Sequence, residues 1–383
     1  MSGKVDPFAF LSRGIGRRQF LGGAGALGAS LATSGLVLPS RARAQDKTLN
    51  LLTWPGHADP AVVAPFEEEY GVKVVAKEYV GGENMLALIN QSPPGTFDVV
   101  LSDAEYVTML RDGGFIEEMS PDDYPFDALF PEFQKFPGHW LDDKLYSMII
   151  RFGYLGIGYR TDYLSEEEVQ SYSVLYEPKM EKSVGFFDWY LPTMGCLSLY
   201  DGNDAPFDID DAAFDKLKET LFGLAPQATG FYSMADTFSS LTSGAAKAIP
   251  GIGDWITLLL AKDGVPVSAV VPKEGGLQWT ESMSIIADSD KKDIAKAFIQ
   301  YMTSPEGQRR SATMPAYNAS IPSRAGWEKL NEEAPEEAKR LRMTFDARNV
   351  MDEYADGLIH IRKTPVQQDI ETWNDVWTEF KSL

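Results

Sequence analysis

Val271-Pro272-Lys273-Glu274-Gly275-Gly276-Leu277-Gln278-Trp279-Thr280-Glu281-Ser282 lies between an apolar run and a helix-forming segment, and its reading decides how the rest of the chain is arranged. Val267 to Val271 is apolar and β-branched, Pro272 ends any ladder, and Gly275-Gly276 lets the backbone take positive φ or approach another surface closely. A crossing between two lobes is the expectation here. Beyond the turn, Trp279 and Glu281 stand two residues apart, so on an extended strand both side chains share a face. An aromatic plane beside a carboxylate suits an amine, because the ring quadrupole attracts a cation and the carboxylate gives it a charge-assisted hydrogen bond. A half-exposed strand with the tryptophan in the core and the glutamate in water would show the same pattern.

Working outward, a second crossing is expected over Tyr146 to Tyr159, an apolar and aromatic run broken by glycine that contains Arg151. A guanidinium inside such a run needs an anionic partner, either a ligand or an internal carboxylate such as Asp188 or Glu281. Met314-Pro315-Ala316-Tyr317-Asn318 suggests a third crossing with an aromatic at its edge. Before the second crossing, strand and helix patterns alternate: strand 49–53, helix 60–70, strand 72–79, helix 84–90, strand 97–101 and helix 103–112. Alternation of this kind predicts a parallel sheet with ligand sites beyond the carboxyl ends of the strands, which are occupied here by Trp54 and by Ser102-Asp103. Ser102-Asp103 could equally cap the helix that follows. The region from Lys182 repeats the pattern and sets Asp188-Trp189 and Asp254-Trp255 after strands. Together with Trp279 and Glu281 these make three pairings of acid and tryptophan at ligand-presenting positions. Residues 122–143 read as a surface excursion, and the tail from Ala334 as mostly amphipathic helix with Trp373 and Trp377 in its packing face.

Composition bounds the function. Arg17-Arg18-Gln19-Phe20-Leu21, a Gly/Ala/Leu-rich run and Ala42-Arg43-Ala44 form a twin-arginine export signal with its cleavage site over residues 1–44. Its removal takes six basic residues and one acid, leaving 29 basic and 55 acidic residues in an exported, periplasmic chain. That acidity disfavours nucleic acid as a partner. Cys196 is the only cysteine, so no intramolecular disulfide forms. His57, His139 and His360 are scattered without metal-ligand spacing, and no nucleophile elbow, P-loop or dinucleotide fingerprint follows a strand. No catalytic residue, metal or cofactor is expected; an exported hydrolase using a carboxylate pair is the remote enzymatic reading.

Taken together, Trp54, Phe97-Asp98-Val99-Val100-Leu101-Ser102 and above all Pro272-Lys273-Glu274-Gly275-Gly276 with Trp279 and Glu281 behind it resemble the periplasmic solute-binding proteins of polyamine (spermidine/putrescine) ABC importers. The resemblance implies an α/β type II periplasmic binding fold of two lobes. The lobes would comprise residues 47–151 with 282–320, and 152–281 with 321–383. It also implies a non-enzymatic monomer that carries a small amine to an inner-membrane ABC permease. By matching position it implies ligand contacts at Trp54, Ser102, Asp188, Trp279, Glu281 and Tyr317, to which the residues themselves add Asp103, Arg151, Trp189 and Trp255. The chain departs from the family pattern at Asp103-Ala104-Glu105, at Arg151 and at Gly253, each in place of an aromatic. Arg151 would repel a polycation unless neutralised, so a zwitterionic amine (amino-acid-like, opine-like or γ-aminobutyrate-like) gripped through Arg151 is the second ligand class.

Overall fold

The computed structural model describes residues 48–383; the export signal expected over residues 1–44 lies outside them. Twelve strands are present in that span: β1 (Thr48–Thr53), β2 (Lys73–Glu78), β3 (Val99–Asp103), β4 (Trp140–Leu141), β5 (Lys144–Leu145), β6 (Met148–Arg160), β7 (Val184–Phe187), β8 (Ala228–Tyr232), β9 (Ala248–Ile252), β10 (Val267–Val270), β11 (Gly276–Ile285) and β12 (Ile359–Ile361). Ten of them form one sheet, eight along the path β2-β1-β3-β11-β6-β9-β7-β8, with β10 added to β6 and β12 to β11. β4 and β5 form a separate ribbon.

The order divides naturally at its middle. β1 pairs in parallel with β2 and β3, joined by helices, and β7 pairs in parallel with β8 and β9 in the same manner. The two parallel groups are linked by β6 and β11, which run antiparallel to each other and to their outer neighbours. β6 is 13 residues long, which at about 3.3 Å per residue makes it a strand of roughly 43 Å. Its residues 148–155 pair with β11, and its residues 156–160 pair with β9 and β10. The expected first two crossings are therefore these two strands. The third is not a strand: Tyr317 lies in irregular chain, and only Ser320 makes a bridge, to Phe152.

Local chemistry accounts for the element ends. The helix Pro60–Tyr70 starts where the Asp59 carboxylate accepts from the amide of Ala61, and ends at Gly71 with φ 61°. β11 begins at a tight turn in which Gly275 has φ 106°. A Cβ on Gly276 would stand 2.4 Å from the Leu155 carbonyl oxygen, so the second glycine permits the approach of β11 to β6. Residues 122–143 differ from the surface excursion expected of them. Phe133, Phe136 and His139 are buried, Phe133 packs 4.7 Å from Phe152, and His139 Nε2 meets Ser282 Oγ at 2.7 Å. The tail also departs from continuous helix. Short helices at Pro335–Arg340 and Val350–Ala355 precede β12, which pairs with the start of β11, and the helix Ile370–Lys381 closes the chain. Trp373 and Trp377 are buried, as their spacing requires. Among the described residues no helix is long and apolar enough to cross a membrane.

Candidate functional site

Three adjacent strands bring chemistry into one row. Glu281 on β11 is in register with Asp103 on β3 and, on its other side, with Arg151 on β6. Residues opposite each other in antiparallel strands share a face, so an acid, an acid and a guanidinium stand side by side across the middle of the sheet. The β6–β11 register shifts immediately beyond this row, leaving Ile150 without a partner residue. Two residues along, Trp279 lies opposite Gly153, and the indole covers the space a side chain would fill: a Cβ there would be 2.7 Å from the ring.

A cavity with about 50 Å³ of water-accessible volume opens over this row. Trp54, Asp103, Trp189, Trp255, Trp279, Glu281 and Tyr317, seven of the ten residues expected at the site, line it. Their positions follow the rule for open α/β sheets, because Trp54 and Asp103 close the parallel strands β1 and β3 while Trp189 follows β7. Trp54 and Trp189 come from opposite parallel groups and meet at 5.9 Å between ring centroids. Trp255 approaches Tyr317 edge-on at 5.8 Å. Asp103 sits where a helix cap would, yet its side chain makes no capping bond; it accepts instead from Trp54 Nε1 at 2.9 Å.

The other three expected residues lie elsewhere. Ser102 is fully buried behind the cavity and its hydroxyl has no hydrogen-bond partner. Asp188 faces an outer groove, where it accepts from Lys381 Nζ at 2.7 and 2.8 Å and from Trp377 Nε1 at 3.1 Å. Arg151 is fully buried beneath the site. Its Nε donates to Glu281 Oε2 at 2.9 Å, its Nη1 donates to the Ser311 carbonyl at 2.9 Å, and its guanidinium stacks 4.4 Å over the Tyr317 ring. The internal-partner reading of Arg151 fits this arrangement, whereas a grip on a ligand through Arg151 does not: no part of it lines the cavity. Of the three acid and tryptophan pairings, only Glu281 with Trp279 keeps both members at the cavity, since Asp254 lines a separate polar pocket beside Arg342.

The electrostatics follow from burial and pairing. Burial alone would raise the Glu281 carboxyl, but Arg151, His57 Nε2 at 3.0 Å and the Tyr317 hydroxyl outweigh it and hold the group down at about 2. Burial keeps His57 below its ordinary value despite that carboxylate, so the neutral ring donates from Nε2 and leaves Nδ1 without a partner.

Sequence reasoning missed two residues of this environment. His57 carries no motif and falls into place only through the turn after β1. Arg362 lines the cavity from the residue after β12, where its Nη2 binds Asp103, its Nε binds Glu105 Oε1 at 2.5 Å, and its guanidinium lies 4.6 Å over the Trp189 ring. The signal was Ile359-His360-Ile361, an alternating β-branched run after Gly357 in a tail read as helical. Burial raises the carboxyls of Asp103 and Glu105 against the pull of Arg362, that of Glu105 to about 7. Among the described residues no cluster of side chains could hold a metal ion.

The cavity thus lies at the junction of two parallel groups linked by crossing strands, and the family comparison accords with that arrangement. Residues 61–339 match the model of the bacterial extracellular solute-binding proteins. The chain belongs to that family. This solute-binding protein is 26% identical over 297 residues to the spermidine/putrescine-binding periplasmic protein of Salmonella typhimurium, covering 75% of this chain and 82% of that one. It is 28% identical over 279 residues to the putrescine-binding periplasmic protein PotF of Escherichia coli, covering 69% and 75%. The solved spermidine/putrescine ABC transporter substrate-binding protein PotD of Streptococcus pneumoniae superposes with a TM-score of 0.69 at 19% identity, covering 88% and 98%. The fold is thus the type II periplasmic binding fold. Members of the family are transport components rather than catalysts.

Proposed function

We propose that this solute-binding protein is the exported, periplasmic receptor of an ABC importer, and that it carries a small organic amine to the membrane permease as a monomer. The observation that carries the reading is the cavity itself: Glu281 and Asp103 flanked by Trp54, Trp189, Trp255, Trp279 and Tyr317, set between the two parallel groups of the sheet. Aromatic faces around carboxylates hold ammonium groups, and the spermidine- and putrescine-binding relatives support an amine as the solute. Export through the twin-arginine segment fits a periplasmic receptor. A division into residues 47–151 with 282–320 and residues 152–281 with 321–383 fits the order of the sheet, the joint falling on β6 and β11.

The hydrolase reading loses ground for a chemical reason. A carboxylate tied to Arg151, His57 and Tyr317 at about 2 is a poor base, and Asp103 is tied to Arg362 and Trp54. The test is a thermal-unfolding screen of the purified protein against amines, amino acids and sugars. Binding stabilises by mass action, about 2.7 kcal/mol at a hundredfold excess over Kd. An amine-bearing solute should raise the melting temperature and be recovered unchanged. Response only to non-amines, or turnover of the ligand, would overturn the proposal.

A further inference from the structure

We infer that the amine taken by this cavity also carries a carboxylate, and that Arg362 together with the indole N–H groups of Trp189 and Trp279 selects such a zwitterion over a diamine or polyamine. The inference rests on the amine-receptor reading above and names the class of amine.

Hydrogen-bond chemistry supplies the first argument. Trp189 and Trp279 line the cavity, and the Nε1 atoms of both are buried without any partner. An indole nitrogen only donates, and so does an ammonium group. A polyamine in its charged form therefore leaves both orphaned on closure, whereas a carboxylate provides acceptors. Unsatisfied buried donors are costly, so the cavity discriminates in favour of a ligand that brings acceptor oxygens.

Charge supplies the second. Each carboxylate at the cavity already has an internal cation, Glu281 in Arg151 and Asp103 in Arg362. Those pairs cancel. Glu105, behind Arg362, adds at most one negative charge. A buried dication or trication would exceed the compensation available, while a zwitterion needs none. Arg362 also occupies, at 4.6 Å, a face of Trp189 that could otherwise receive an ammonium.

The third argument is that both ends of a zwitterion find room. A carboxylate has about four acceptor positions. Glu281 uses three, toward Tyr317, His57 and Arg151, and Asp103 uses two, toward Trp54 and Arg362, so ammonium N–H groups retain acceptors on both. Arg362 spends Nε and Nη2 on Glu105 and Asp103, and its Nη1 makes no hydrogen bond among the described residues, which leaves donors for the ligand carboxylate.

Titration calorimetry with putrescine, γ-aminobutyrate, spermidine and n-butylamine tests this, the first two being of similar length and differing in whether the second end is an ammonium or a carboxylate. The expected result is γ-aminobutyrate at least tenfold tighter than putrescine, with Arg362→Gln reducing that ratio tenfold or more. Should Arg362→Gln fail to fold, the double variant Trp189→Phe, Trp279→Phe keeps an aromatic ring at each position while removing the donor with part of the indole; since γ-aminobutyrate and n-butylamine meet the same loss of ring area, it should lower the ratio of their affinities at least tenfold. Putrescine or spermidine binding more tightly than γ-aminobutyrate to the native protein, or ratios unmoved in the double variant, would overturn the zwitterion inference while leaving the amine receptor standing. Failure of all four probes and of other amino acids to bind the folded protein would overturn the amine receptor as well.

Discussion

Arg151 was the residue on which the sequence reading turned, and its surroundings convert it from a candidate ligand contact into part of the wall. Glu281 and Arg151 are opposite each other in the ladder and wholly inside the protein, so each supplies the charge that makes the other's burial tolerable. Removing one partner of such a pair costs about 3–5 kcal/mol, because the remaining charge is left uncompensated. Arg151→Met should accordingly destabilise the unliganded protein by about that amount in denaturant unfolding. It should also make stability less sensitive to acid. With Arg151 present, the Glu281 carboxyl is held at about 2, below its ordinary 4.5, so its stabilisation is complete above pH 4.5 and is lost as pH falls toward 2. Without Arg151 burial is less opposed and the carboxyl rises, so the stability lost on acidification should shrink, and should reverse once the folded-state value passes the ordinary 4.5. An unchanged unfolding free energy in Arg151→Met would mean that Glu281 does not depend on this partner.

At the scale of elements, the site depends on how closely β6 lets β11 approach. Gly153 is the point of contact: its missing side chain is where the Trp279 indole lies. In Gly153→Ala the new methyl would meet the ring at 2.7 Å, and overpacking of this sort costs typically about 1–3 kcal/mol. The expected outcome is a loss of ligand affinity exceeding the loss of stability, since the displaced ring enters the cavity; calorimetry and tryptophan fluorescence on the same sample would register both, and native affinity would show that Trp279 does not require this position. The same strands explain what could be read from sequence. Trp279 and Glu281 were legible because period-two alternation after a Pro-Gly-Gly turn fixes which side chains share a face. Trp54 and Asp103 were legible because the carboxyl ends of parallel strands present ligand groups. Asp188 was misleading for a related reason: adjacent residues Asp188 and Trp189 leave the end of β7 in different directions, and the long-range Lys381 partner that draws the acid outward has no local signature. Arg362 escaped notice because its place is set by a three-residue strand pairing with β11 across more than 80 residues of chain, and so short a run scarcely differs from helix by pattern alone.

Across the whole molecule, β6 and β11 are the elements both parallel groups share, and the contacts over the cavity mouth are made by side chains from the two sides. Trp54 meets Trp189, and the Tyr190 hydroxyl donates to Glu83 Oε1 at 2.8 Å. Neither contact is local, and each joins the two sides on the proposed division into lobes, as a closed arrangement requires. Opening about β6 and β11 would widen the mouth of the cavity for an entering solute, and closing would bring the two sides together over it. Small-angle scattering should therefore show the radius of gyration falling when ligand is added. The Tyr190–Glu83 bond contributes only once the rim has met, so Tyr190→Phe should bias the equilibrium toward the open form and weaken apparent affinity without altering any group at the cavity. For a loss of about 1–2 kcal/mol the expected rise in Kd is roughly 5- to 30-fold, carried mainly by faster dissociation. A radius of gyration indifferent to ligand, together with native affinity in Tyr190→Phe, would mean that the rim contacts do not govern access and that the solute enters by another path.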